Sequence, residues 1–172
     1  MKMKFKQRSI KISMVSAMLA GAIGLSSASY AGTDTADLLV KSNIVGACAI
    51  TTTEMDFNAY SGSEVVGTGE VKHNCTLSTV AKITMNQGAN AKSGSDDTTP
   101  LRRMKHGADD YLEYFIYSTS NRVTVWGNTA DTGKEVTGTG AVVTVPVYGK
   151  IAANQAQPAG NYLDTVVVTI TF

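Results

Sequence analysis

The sequence predicts an all-β protein, an antiparallel sandwich, and three observations carry that expectation. β-Branched and aromatic residues fill two long runs, residues 142–148 and 162–172, with a period of two in the second. Clusters rich in Gly, Asn, Asp and Ser recur between short apolar stretches, at residues 60–63, 86–90, 93–97, 118–121, 131–133 and 154–160. No window after residue 31 sustains apolar residues at i, i+3, i+4 and i+7 over three turns. Short strands separated by frequent turns describe two packed sheets rather than a helical bundle.

The chain has 172 residues, about one domain's length. Lys2, Lys4, Lys6, Arg8 and Lys11 precede an apolar stretch over residues 14–25, and Ser26-Ser27-Ala28-Ser29-Tyr30-Ala31 follows with small residues at positions 29 and 31. That order is a secretory signal peptide over residues 1–31, with cleavage after Ala28 as the alternative. A membrane anchor is disfavoured, because the apolar core is short and runs directly into the small-residue motif. The leader holds five cations and no acid, so its removal takes the formal charge from +1 to −4. A mildly acidic mature chain is a poor nucleic-acid binder. No later apolar run approaches the roughly 18 residues that cross a bilayer, so no membrane span is expected in the mature chain.

After the leader, Ala36, Leu38, Val40, Ser42 and Ile44 alternate with Asp37, Leu39, Lys41 and Asn43. This is a half-buried strand pattern. It fits either an ordinary first strand or a strand exported to complete a neighbouring subunit. Further strands are expected at residues 43–53, 65–77, 80–85, 111–117 and 123–126. In the final run Tyr162, Asp164, Val166, Val168, Ile170 and Phe172 share one face, and Leu163, Thr165, Val167, Thr169 and Thr171 the other. Residues 86–100 read as a polar loop within one domain.

Cys48 and Cys75 are the two cysteines, so secretion leaves one possible bridge. It closes a loop of about 28 residues, worth roughly 3.5 kcal/mol in the chain-entropy account. A nucleophilic thiol is the competing reading, and nothing near either cysteine supports it.

Reactive chemistry has little material. His73 and His106 have no second ligand at metal spacing, so no metal is expected. No G-x-S-x-G frame surrounds Ser61 or Ser63. Gly67-Thr68-Gly69 and Gly138-Thr139-Gly140 open no helix and read as strand or turn glycines. Asp96-Asp97 and Asp109-Asp110 lack the alternation of a calcium loop. Arg102-Arg103-Met104-Lys105-His106 reads as a polar edge. Trp126 reads as a core or subunit contact rather than a sugar platform. No catalytic residue and no cofactor emerge, and the expectation is a structural or binding protein, not an enzyme.

At this point the residues meet a family. The chain resembles the spore coat protein U domain family, the archaic (Csu-type) chaperone–usher pilus subunits. The matching segments are the alternation leading into Gly46-Ala47-Cys48, then Gly67-Thr68-Gly69 through Val71 to Cys75, then Arg102-Arg103-Met104 with residues 110–117, then Val123-Thr124-Val125-Trp126-Gly127. The most specific is Val145-Pro146-Val147-Tyr148-Gly149-Lys150-Ile151 followed by residues 157–172. Ser42 departs from the pattern, standing where the family more often has an apolar residue.

The resemblance implies an incomplete immunoglobulin-like antiparallel β-sandwich completed by donor-strand exchange, with a donor extension over residues 32–43 and a single domain over 44–172. It implies donor plugs at Ala36, Leu38, Val40 and Ser42, and an acceptor groove bordered by the strand carrying Tyr162, Asp164, Val166, Val168, Ile170 and Phe172. It implies a bridge from first to second strand, Cys48 to Cys75. The implied partners are a periplasmic chaperone, an outer-membrane usher and neighbouring copies or other pilin subunits. The implied destination is the periplasm in transit and then a surface pilus supporting adhesion and biofilm formation. The alternative is a secreted adhesin or a spore or cell-surface coat protein of the same fold. The last strand runs to Phe172, so no later strand within this sequence is expected to cover its edge, and an open apolar edge invites strand addition.

Overall fold

The computed structural model describes residues 31–172, so the signal-peptide expectation, apart from Ala31, falls outside the described residues. The chain divides into two units, Met1–Lys41 and Ser42–Phe172. In the first, residues 31–41 carry no regular secondary structure and every one is exposed. The second holds eight strands, and no helix occurs among the described residues.

The strands are β1 (Cys48–Thr52), β2 (Val65–Cys75), β3 (Val80–Met85), β4 (Arg102–His106), β5 (Asp110–Tyr117), β6 (Lys134–Thr137), β7 (Val142–Ile151) and β8 (Val168–Thr171). They form one sheet ordered β1-β2-β7-β5-β4 and a second ordered β6-β3-β8, with every pairing antiparallel. β2 and β7 make the longest ladder, running from Val65 opposite Ile151 to Asn74 opposite Val142. Alternation decides which face each strand buries. Val71 of β2, Leu112, Tyr114 and Ile116 of β5, and Val145, Val147 and Ile151 of β7 point inward. They meet Ile83 and Met85 of β3, with Trp126 filling the middle. Trp126 is fully buried, and its indole N–H donates to the Ile83 carbonyl at 2.9 Å, which satisfies its one polar atom.

The all-β antiparallel expectation is met, and residues 80–85 coincide with β3. Several local readings differ: the expected strand over 43–53 is ladder only from Cys48 to Thr52, and the run 162–172 only from Val168 to Thr171. Residues 123–126 form only a single bridge between Tyr117 and Val125. The basic run 102–106, read as a polar edge, is indeed the edge strand of the five-stranded sheet, but its Arg102 is buried. Residues 134–137, for which no strand was expected, form β6 on β3.

Cys48 and Cys75 are disulfide-bonded and sit directly opposite each other in the β1–β2 ladder. The bridge therefore fastens a short edge strand to the longest strand of the sheet.

Candidate functional site: an open groove beside the last strand

Residues 52–60 leave β1 and lie along the inner side of β2. Thr53 donates its backbone N–H to the Glu70 carbonyl at 2.9 Å, and Asp56 makes a single bridge with Thr68. Three glycines make this path possible: Gly67, Gly69 and, opposite Gly67 in the ladder, Gly149, whose added Cβ would collide with Met55 Sδ and the Phe57 ring. A Cβ on Gly67 would stand 2.9 Å from the Phe57 ring, and one on Gly69 would stand 3.2 Å from Met55 Cβ. Gly67 and Gly69 are buried positions of β2, so a missing side chain in the sheet becomes a seat for an aromatic ring from the loop. Tyr60 closes the segment, donating its hydroxyl to the Ala152 carbonyl at 3.0 Å.

Opposite this wall runs the approach to β8. Its backbone bonds all go one way. Leu163 exchanges both bonds with Lys105, the Thr165 carbonyl accepts from Ala89, and the Val167 carbonyl accepts from Asn86. The Val167 N–H goes to the Asn86 side-chain oxygen at 2.8 Å. In an extended chain the amides of successive residues point to opposite edges. The amides of Asp164 and Val166 are thus directed to the other edge, away from these partners.

Between the two walls lies a groove of about 950 Å³. Its floor is the hydrophobic core itself: Val71, Met85, Leu112, Tyr114, Ile116 and Val147. Tyr162, Val166, Val168 and Ile170 pack partly buried against that core, while Leu163 and Val167 on the opposite face are exposed. Phe172, assigned by the alternation to the inward face, is 59 % exposed.

Asp164 is the polar member of the inward face. One carboxylate oxygen accepts from the backbone N–H of Ala89 (2.9 Å) and Asn90 (3.2 Å) and from the Asn90 side-chain amide (3.1 Å). The other accepts from the Tyr114 hydroxyl at 2.7 Å. Burial, and then the bond to Asp164, pushes the Tyr114 phenol far above its usual range. Arg102 is 1 % exposed. It donates from Nε to the Asn86 carbonyl (2.8 Å) and from Nη2 to those of Met85 (2.9 Å) and Trp126 (2.7 Å). Burial lowers its pKa to about 10, partly offset by Tyr114 and Asp164. This buried polar net ties the 85–92 loop, the groove floor and the last strand together.

The tail residues Ala36, Leu38, Val40 and Ser42 are all exposed, Leu38 by 87 % and Val40 by 81 %. Neither histidine joins a cluster: His73 is buried beside Cys75, and His106 lies against Tyr162 with ring centroids 5.3 Å apart. Sequence reasoning missed the wall at 52–60, which carries Met55 and Phe57. The signal that could have found it is the pair of glycines two apart on one strand face.

An antiparallel, immunoglobulin-like sandwich with an apolar groove defines a class of β-sheet domain. The chain matches the Spore Coat Protein U domain over residues 34–169, and it belongs to that family. It is 39 % identical over 176 residues to Protein U of Myxococcus xanthus, covering 95 % of this chain and 98 % of that one. In fold it is similar to a chain of the CsuC–CsuE chaperone–tip adhesion subunit pre-assembly complex from archaic chaperone–usher Csu pili of Acinetobacter baumannii. There the TM-score is 0.52 with 20 % identity, covering 75 % of this chain and 40 % of that chain. This chain thus spans well under half the length of that structural relative.

Proposed function

We propose that this protein is a secreted structural subunit of a surface pilus assembled by the chaperone–usher route. In this reading residues 32–43 of one copy enter the groove of the next, with Ala36, Leu38, Val40 and Ser42 as plugs. The observation that carries the reading is a groove whose floor is the core and whose bordering strand directs the amides of Asp164 and Val166 toward the vacancy. An incoming strand satisfies such groups and places alternate side chains in the groove. Moving Leu38 and Val40 from water into that floor supplies roughly 1.5–3 kcal/mol each. Each new ladder bond adds about 0.5–1.5 kcal/mol. Donor and acceptor surfaces differ, so the contact is head-to-tail and builds a filament when its rotation does not close. A periplasmic chaperone covering the groove in transit, and an outer-membrane usher exchanging it for the next subunit, complete the route. Adhesion and biofilm formation would be the fibre's use.

Deleting residues 33–42 tests this. The expected product is a secreted, folded subunit that occupies a fibre end or stays with chaperone, and electron microscopy of producing cells finds no long fibres built from it. Long fibres assembled from the truncated chain alone would refute strand donation. A second reading, a coat protein of the same fold on a spore or cell surface, is favoured by the near full-length similarity to Protein U. Chaperone and usher genes beside this one would favour the pilus, and recovery of the protein from spore walls would favour the coat.

A further inference from the structure

We propose that the outer face of the five-stranded sheet binds an anionic polysaccharide, a polyuronate-type chain, along a row of aromatic rings flanked by cations. All four cation–π contacts among the described residues lie on this one face. The Arg103 guanidinium stands 3.9 Å from the Tyr111 ring centroid and the Lys105 ammonium 5.5 Å from the same ring. Arg122 lies 5.7 Å from Tyr148, and Lys150 lies 6.0 Å from Tyr117. Register explains the clustering. Lys105 is directly opposite Tyr111 on β4 and β5, and Tyr117 is opposite Tyr148 on β5 and β7. Their inward neighbours, Leu112, Ile116 and Val147, belong to the core, so these side chains point away from it.

The charge on this face is unbalanced. Three acids share the face: Glu64 lies 3.7 Å from Lys150, Glu70 lies 3.3 Å from Lys72, and Glu113, opposite Arg103 in the ladder, pairs with Lys92, which leaves Arg103, Lys105 and Arg122 without an ion pair among the described residues. A cationic stripe on a chain of mature charge −4 reverses the local sign and calls for an anion. Arg103 is also already ordered, donating from Nε to the Asn90 carbonyl (3.1 Å) and from Nη2 to that of Ala91 (3.0 Å). Ordering that precedes binding lowers its entropic cost. The cations sit on β4, after the end of β5 and on β7, strands about 4.8 Å apart from one to the next, rather than converging on one point. A single phosphate cannot reach them all, whereas a chain with repeating carboxylates can. Tyr111 and Tyr148 are half-buried while Tyr117 is only 7 % exposed, so the first two rings are the ones open to a sugar, and all three are too recessed to insert into lipid.

The test uses the full chain as secreted by its producing cells, with immobilised polygalacturonate as probe and neutral dextran and phosphatidylglycerol vesicles beside it. Binding to polygalacturonate is expected and should weaken as salt is raised. The double variant Lys105→Gln/Arg122→Gln should lose affinity roughly tenfold. The charge-preserving Lys105→Arg/Arg122→Lys pair should retain it, and so should Lys82→Gln/Lys134→Gln on the opposite sheet. Equal loss in both glutamine pairs, equal binding to dextran, stronger binding to the vesicles, or no binding to polygalacturonate would each overturn the assignment. The binding needs no strand exchange, so a deletion of residues 33–42 that leaves fibres intact does not touch it.

Discussion

Asp164 occupies a position where an alternating strand calls for an apolar side chain. Its four hydrogen-bond donors explain why a carboxylate is tolerated there, since a buried charge survives only with its partners in place. Replacing Tyr114 by Phe removes one of those donors and should cost about 1.5–3 kcal/mol in thermal or denaturant unfolding, the range for a bond to a charged group. The effect should depend on pH. The folded state holds the Tyr114 phenol protonated well above its unfolded value near pH 10. Its contribution is therefore complete below about pH 10 and declines as pH climbs beyond it. The margin of the wild type over Tyr114→Phe should shrink between about pH 10 and 12. Arg102 works in the opposite sense over the same window, because its cost as a buried cation is relieved above about pH 10. It is common to both proteins and largely cancels in the comparison. A margin that stays constant across this range would show that the phenol titrates normally.

At the scale of the strand, periodicity was a reliable guide to faces and a poor one to hydrogen bonding. The alternation over residues 162–170 placed Tyr162, Val166, Val168 and Ile170 on the core side, where they are found. Yet ladder structure begins only at Val168, because Asn86, Ala89 and Lys105 draw off the backbone groups of residues 163–167. Those partners lie up to 81 residues away, so no local pattern announces them. Arg102 is illegible for the same reason. Four polar residues in five suggest an edge, which β4 is, but the buried Arg102 guanidinium donates to three carbonyls that only the tertiary fold assembles. β6 is short and begins Lys-Glu, too polar to register as a strand without β3 beside it. Which side of residues 162–170 turns to the core was thus readable from residue spacing, while the wall at 52–60 and the polar net were not. The same period argues for the tail. If alternate residues of the donor enter a groove, Val40→Asp should cripple polymerisation while Lys41→Asp leaves it largely intact, scored by the length of assembled fibres. Equal damage at both positions would refute the proposed register.

Across the whole molecule the disulfide is the cross-link that keeps the edge strand in place. Its removal in Cys48→Ala/Cys75→Ala should lower stability by about 2–4 kcal/mol, read from the unfolding midpoint of the purified protein. Because Cys48 and Cys75 face each other in register, the loss should appear first as fraying of β1. Hydrogen exchange would detect it there ahead of β2 and β7.

The groove beside β8 carries one more implication. If the tail of one copy fills the groove of the next, as proposed, a strand's sense of direction requires every incoming partner to lie along that cleft the same way round. A column built in this manner has unlike tips, one with a vacant furrow and the other with an unengaged tail. A cap that silences one tip could not fit the other, and lengthening and termination would be governed at opposite poles.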